Sequence, residues 1–62
     1  MTRRVKRVMY KDQENGVRKI DYPADHDVNK VADTVQVTDE EDIVIAVYNW
    51  RYVISISDEW VY

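Results

Sequence analysis

The chain contains no Leu and no Phe, although 45% of its 62 residues are hydrophobic. Its aliphatic content is carried by 11 Val and 5 Ile, joined by 3 Ala and 2 Met. Leu and Ala build helix cores, whereas β-branched and aromatic side chains fit a pleated, half-buried surface. A Leu-free chain with this much Val and Ile is therefore a β protein before any periodicity is considered. The aromatics point the same way. All seven are Tyr or Trp, so each has a polar tip suited to the boundary between a core and water or a partner.

Length narrows the options further. At 62 residues and 7.4 kDa the chain makes one domain, residues 1–62. A chain of this size buries only about 60% of the surface it exposes when unfolded. An enzyme with a cleft between two domains is excluded, and no apolar run approaches the ~18 residues of a membrane-spanning helix. The chain has no Cys, which excludes a disulfide framework, a thiol nucleophile and a thiolate metal site. A Cys-free domain is compatible with a reducing cytoplasm, the expected location. The apolar stretch over 8–10 is too short for the core of a secretion leader, so none is expected.

Strand signals recur along the chain. The first lies over 4–12, followed by Asn15 and Gly16, the latter the single Gly. Asn-Gly between strand-like runs is a strong hairpin signal. A two-residue turn would pair Tyr10 with Asp21. A three-residue loop with Gly16 in the left-handed region pairs Tyr10 with Ile20, Val8 with Tyr22 and Asp12 with Arg18, gathering the apolar residues on one face. That second register is the one expected, because a one-residue slip sends every side chain to the opposite face. Pro23 ends the second strand.

The segment over 26–33 is ambiguous. Val28, Val31, Ala32 and Val35 fall at helical spacing, and Asp25 could cap the start. One short helix is expected there. Residues 34–38 alternate as a half-buried strand. An acidic turn follows at Asp39, Glu40, Glu41 and Asp42. Residues 43–48 then read as a central strand, apolar on both faces. A tight turn at Asn49 and Trp50 would return the chain, pairing Val47 with Tyr52, Ile45 with Ile54 and Ile43 with Ile56, with Ile45 and Ile54 buried. A turn or bulge at Asp58 and Glu59 would precede residues 60–62.

The expected fold is thus mainly β: a single small domain of about five short antiparallel strands with at most one short helix near 26–33. A strongly bent sheet or an SH3-like or OB-like small barrel would cover its own core. The alternative is an α+β, two-layer ββαββ arrangement.

Little in the chain suggests catalysis. One Gly makes neither a phosphate-binding loop nor a dinucleotide fingerprint. The two Ser residues, Ser55 and Ser57, lack an elbow motif. His26, flanked by Asp25 and Asp27, lacks the three or four convergent ligands of a metal site. No catalytic residue, metal or cofactor is expected.

Binding signals are stronger. The net charge of −3 conceals an asymmetry. Residues 1–19 hold seven basic groups against two acidic, a net of +5, while residues 20–62 hold two against ten, a net of −8. Such a split fits a nucleic-acid arm, an acidic face for a basic partner, or complementarity between the two halves. Arg3, Arg4, Lys6, Arg7, Tyr10 and Lys11 are the candidate nucleic-acid contacts. They would track phosphates while Tyr10 stacks on a base. The competing account is a charged edge strand. Tyr48, Trp50 and Arg51 are the candidate anchor of a protein-binding surface, because Tyr, Trp and Arg are enriched at binding hot spots. Asp39, Glu40, Glu41 and Asp42 would form its electrostatic rim.

A nucleic-acid module normally has a pI above about 9, and this chain has a pI near 4.9. The leading expectation is therefore a non-enzymatic protein-interaction module, a small inhibitor or accessory protein. In general terms the chain resembles small acidic proteins of mobile genetic elements. The alternatives are a single-stranded nucleic-acid-binding small barrel and a structural homo-oligomer sealed by its edge strands. No membrane partner is expected.

Overall fold

The computed structural model describes residues 2–14 and 16–62. Asn15, half of the expected Asn-Gly turn, lies outside the described residues. The fold is mainly β and consists of two three-stranded antiparallel sheets. The strands are β1 (Arg3–Asp12), β2 (Gly16–Pro23), β3 (Asp27–Val31), β4 (Thr34–Thr38), β5 (Val44–Asn49) and β6 (Val53–Val61). The first sheet has the order β2-β1-β6 and the second β3-β4-β5. No helix among the described residues is long and apolar enough to cross a membrane.

The core is small and made of valine. Val8 in β1 and Val35 and Val37 in β4 are fully buried. In the ladders Val8 lies between Ile20 and Ile56, and Val37 between Val28 and Ala46. Paired residues share a face, so these sets are the two surfaces that pack together. Tyr48 of β5 ties them, with its ring 5.0 Å from that of Tyr10 and its hydroxyl hydrogen-bonded to that of Tyr22. Val5 lies on the other face of β1 and is buried between Pro23 and Glu59 in neighbouring strands.

Four local expectations are corrected. The segment over 26–33 is no helix. Residues 27–31 form β3, which pairs with β4 across a two-residue turn at Ala32 and Asp33. Val and Asn are poor helix formers, and the strand gains a ladder that a short helix would forgo. The Thr34 hydroxyl donates to the Val31 carbonyl at 2.8 Å, and the Trp50 amide donates to the Asp33 carbonyl at 2.8 Å. Ala32 holds φ at 53°.

The first hairpin keeps the expected faces but is shifted by two residues. Val8 pairs with Ile20, Tyr10 with Arg18, and Asp12 with Gly16. The Asp12 carboxylate accepts from the Glu14 amide at 2.9 Å, so the turn begins at Asp12. Gly16 takes the left-handed conformation, φ 75°. This register also sets Arg7 opposite Asp21, where they form two hydrogen bonds of 2.8 and 3.2 Å.

The last hairpin does not form. β5 pairs with β4, and β6 pairs with β1. Both are edge strands, and Ile45 and Ile54 are about half exposed rather than buried partners. A 3-10 turn, Trp50–Tyr52, carries the chain from one sheet to the other. Asn49 caps it by accepting from the Arg51 amide at 3.0 Å, and the Val53 amide donates to the Trp50 carbonyl. The same Asn that reads as a turn residue therefore starts a crossover.

Finally, β6 runs through Asp58 and Glu59 without a turn, reaching Val61. Its pairing with β1 makes the basic first strand the centre of its sheet, not the charged edge considered above.

Candidate functional site

The most site-like hollow lies where the β1–β2 loop approaches the end of β5. It is open, about 410 Å³, and lined by Tyr10, Lys11, Asp12, Gln13, Glu14, Val47, Tyr48, Asn49 and Tyr52. Each element contributes for a local reason. β1 delivers Tyr10 from the inner face of its sheet, and the loop that follows brings Asp12 and Glu14 to the rim. β5 delivers Tyr48 from its inner face and Val47 from its outer face, since successive strand residues alternate. The 3-10 turn adds Tyr52, which keeps an exposed ring.

Three tyrosines thus form the walls and floor. Tyr48 is the most constrained. Burial, and next its hydrogen bond with Tyr22, push its phenol well above the usual range, so at neutral pH it is an uncharged floor group. The rim carries two carboxylates against one ammonium. Asp12 is oriented by the Glu14 amide and lies 3.5 Å from Arg18.

A second hollow, about 440 Å³, is lined by Asp33, Asn49, Trp50 and Arg51. It shares Asn49 with the first. Trp50 is held by its backbone bond to Asp33 and lies 5.0 Å from the Lys30 ammonium, in cation–π contact. Trp50 and Arg51 are exposed. Trp50 is in the crossover between sheets and not at a hairpin tip. Tyr48 and Arg51 are not cross-strand partners either, because Tyr48 pairs with Val35. Tyr48 faces the first hollow, while Trp50 and Arg51 line the second.

The acidic turn is elsewhere. Asp39, Glu40, Glu41 and Asp42 precede β5, whereas Trp50 follows it, a separation on the order of 20 Å for six residues of strand. Asp39 organises that turn: its carboxylate accepts from the amides of Glu41 and Ile43 at 2.8 and 3.0 Å. Asp42 takes φ 63°, which Asp tolerates. These carboxylates do not rim the tyrosine groove; Asp12 and Glu14 do.

Glu40 instead meets His26. The His26 Nδ1 is 2.8 Å from Asp25 and 3.8 Å from Glu40, and one donor atom from each of the three residues falls within 4.8 Å of the others. Sequence spacing had no means of joining His26 to Glu40, which sit in different turns. The set offers one nitrogen and two carboxylate oxygens, one short of a closed tetrahedral zinc site.

The basic strand is largely engaged within the fold. Arg4 pairs with Asp58 at 3.4 Å, Lys6 with Asp27 at 3.6 Å and Arg7 with Asp21 at 2.8 Å. The hydrogen bond from Arg7 holds the Asp21 carboxyl below the ordinary carboxylate range, and the same bond raises the Arg7 guanidinium. Arg3 and Arg4 are exposed, Lys11 reaches the tyrosine groove, and Tyr10 is half-buried between the sheets.

The residues missed from the sequence are Asp12, Glu14, Val47 and Tyr52. Tyr52 follows directly on the candidates Tyr48, Trp50 and Arg51 in the sequence. The other three gave no signal, since only the crossover brings β5 to the first hairpin's loop. Searches with protein-family models, among curated proteins and among solved structures find no match to the chain.

Proposed function

We propose that the chain is a non-enzymatic protein-interaction module that seats an extended, cationic segment of a partner protein in the tyrosine groove. The observation that supports this best is the groove's make-up: three tyrosines and Val47 as apolar walls, with Asp12 and Glu14 on the rim. Tyr combines a large rigid contact area with a polar tip, which suits a surface that stays hydrated until bound. A segment already held in the extended polyproline II conformation loses less conformational entropy on docking in an aromatic-lined groove than a fully flexible one. The carboxylates favour a Lys or Arg beside the segment, and their main effect is on association rate and its salt dependence. Trp50 and Arg51, beyond Asn49, continue the surface.

The nucleic-acid reading ranks second. The acidic pI and the ion pairs of Arg4, Lys6 and Arg7 both weaken it, and Tyr10 is packed against Tyr48 rather than free to stack on a base.

The test uses Trp fluorescence, with Trp50 near the groove as reporter, against an array of extended arginine-containing peptides and against single-stranded DNA. Tyr52→Ala should weaken peptide binding by about 30-fold, equivalent to roughly 2 kcal/mol, with unchanged circular dichroism. If no peptide binds while oligonucleotide binding responds to Arg3→Glu and Arg4→Glu, the proposal fails.

A further inference from the structure

We infer that the chain forms a two-fold symmetric dimer by antiparallel pairing of β6 with β6 of a second copy. The starting observation is a difference between the edges of the first sheet. The β2 edge is guarded in the manner of natural sheet edges: it carries Arg18, Lys19 and Asp21 and ends at Pro23. The β6 edge is nine residues long with no Lys, Arg, Pro or Gly. Along it Ile54, Ile56 and Trp60 stand 54%, 40% and 58% exposed. Its charges, Asp58 and Glu59, are confined to one half of the strand, and a long edge with exposed apolar side chains is a template for another strand.

The shape of the molecule agrees. Its accessible surface is 4707 Å², against about 4,200 Å² for an average monomer of 7.4 kDa. Its radius of gyration is 11.8 Å, against about 10.6 Å for a compact chain of this length. The chain alone is thus more open than a compact monomer of its size, as expected of a subunit that covers a sheet edge with a second copy.

Charge and register select the occupant. A two-fold axis perpendicular to the sheet must pass through one self-paired residue of β6. An axis at Asp58 sets two carboxylates face to face, which is unfavourable. An axis at Ser57, the midpoint of Val53–Val61, overlaps the full strand. It pairs Ile54 with Trp60 of the second copy, Val53 with Val61, and Glu59 with Ser55. Aromatic–β-branched pairs are among the stabilising cross-strand combinations. Each Asp58 then lies opposite Ile56 and retains its own Arg4 at 3.4 Å. The product is a continuous six-stranded sheet with the order β2-β1-β6-β6-β1-β2 and a guarded strand at each end, so the joined sheet grows no further. None of the residues lining the tyrosine groove is in β6, so the dimer leaves both grooves open.

The absence of Cys allows a direct test. Ser57→Cys places two thiols across the axis, where directly paired Cα atoms are about 4.5–5.5 Å apart, within disulfide range. Ser55→Cys is the control, with its copies about 13 Å apart along the strand. Under mild oxidant, Ser57→Cys should give a covalent dimer and Ser55→Cys should not. In sedimentation equilibrium the native chain should have twice the monomer mass, and Ile54→Lys should be a folded monomer. A native chain that stays monomeric from micromolar to millimolar concentration overturns the inference. So does a mass above the dimer, as β6-to-β2 chains would give, or equal cross-linking of the two Cys variants. If Ser57→Cys fails to fold, the sedimentation comparison of native chain and Ile54→Lys decides alone. Peptide binding at the groove is read separately, so either proposal can fail without the other.

Discussion

Replacing Ala32 by Gly should stabilise the protein, and the sign of the effect decides how residues 26–33 fold. Ala32 sits at φ 53° in the two-residue turn between β3 and β4. A left-handed conformation costs an L residue with a Cβ roughly 1–2 kcal/mol, and glycine escapes most of that. Against this, Gly raises the entropy of the unfolded chain, worth about 0.4–1 kcal/mol. Ala32 is exposed, so its methyl group takes little packing with it. The net expectation is a gain of about 0.5–1 kcal/mol, a rise in Tm of about 2–8 °C for a domain of this size. In a helix over the same residues, Ala→Gly would instead cost about 1 kcal/mol. Thermal unfolding followed by circular dichroism, checked for reversibility, measures the difference. A lowered Tm would refute both the strained turn and the β3 assignment that depends on it.

Other perturbations probe the remaining features. Gly16→Val should cost about 1–2 kcal/mol through backbone strain at φ 75° alone, because an added Cβ meets nothing within 4 Å; an unchanged denaturation midpoint would contradict the register of the first hairpin. Asp21 has a folded pKa below its unfolded value, so its contribution is present above about pH 4 and is lost as pH falls. Asp21→Asn should lower stability at neutral pH and flatten the acid limb of the stability profile, as read by urea titrations across pH. For Tyr48 the shift is upward: the folded state keeps the proton longer, so stability falls as pH rises above about 10. Tyr48→Phe should reduce that alkaline loss while costing about 1 kcal/mol at neutral pH, since Tyr22 loses its hydroxyl partner.

The class of fold was legible because it rests on composition. Val and Ile without Leu favour strands whatever their order, and alternation over 34–38 correctly placed Val35 and Val37 on a buried face. What local signals could not supply was strand pairing. β1 and β6 are joined through almost the whole chain, and no turn residue announces that contact. A hairpin over 43–57 looked favourable because its two arms offer six apolar residues to each other. The structure instead places Ile45 and Val47 on the β5 edge and Ile54 and Ile56 on the β6 edge, with the Asn49 side-chain oxygen capping the turn between them at the Arg51 amide. Asn serves a tight turn and a 3-10 start equally well, so the residue type alone did not discriminate. The helical spacing of Val28, Val31, Ala32 and Val35 misled for a related reason. Five residues of strand followed by a two-residue turn place apolar groups at intervals that also suit a helix, and only Val35 of the four is fully buried.

The candidate site was legible in part, and charge explains which part. Reading the basic first strand as a binding surface treated its cations as available. Folding instead uses the chain's charge asymmetry internally, joining Arg4 to Asp58, Lys6 to Asp27 and Arg7 to Asp21 across strands. Each such pair is exposed enough to be worth little to stability, yet each shields a cation from a phosphate. The acidic residues outnumber the basic ones by three, and two of them, Glu14 and the Arg18-paired Asp12, rim the tyrosine groove. Added salt weakens exposed pairs and rim steering alike. Arg4→Ala and Lys6→Ala should therefore leave peptide affinity unchanged, whereas Asp12→Asn with Glu14→Gln should slow association and flatten its salt dependence. Equal slowing by the two sets of variants would show that overall charge, and not the groove, attracts the partner.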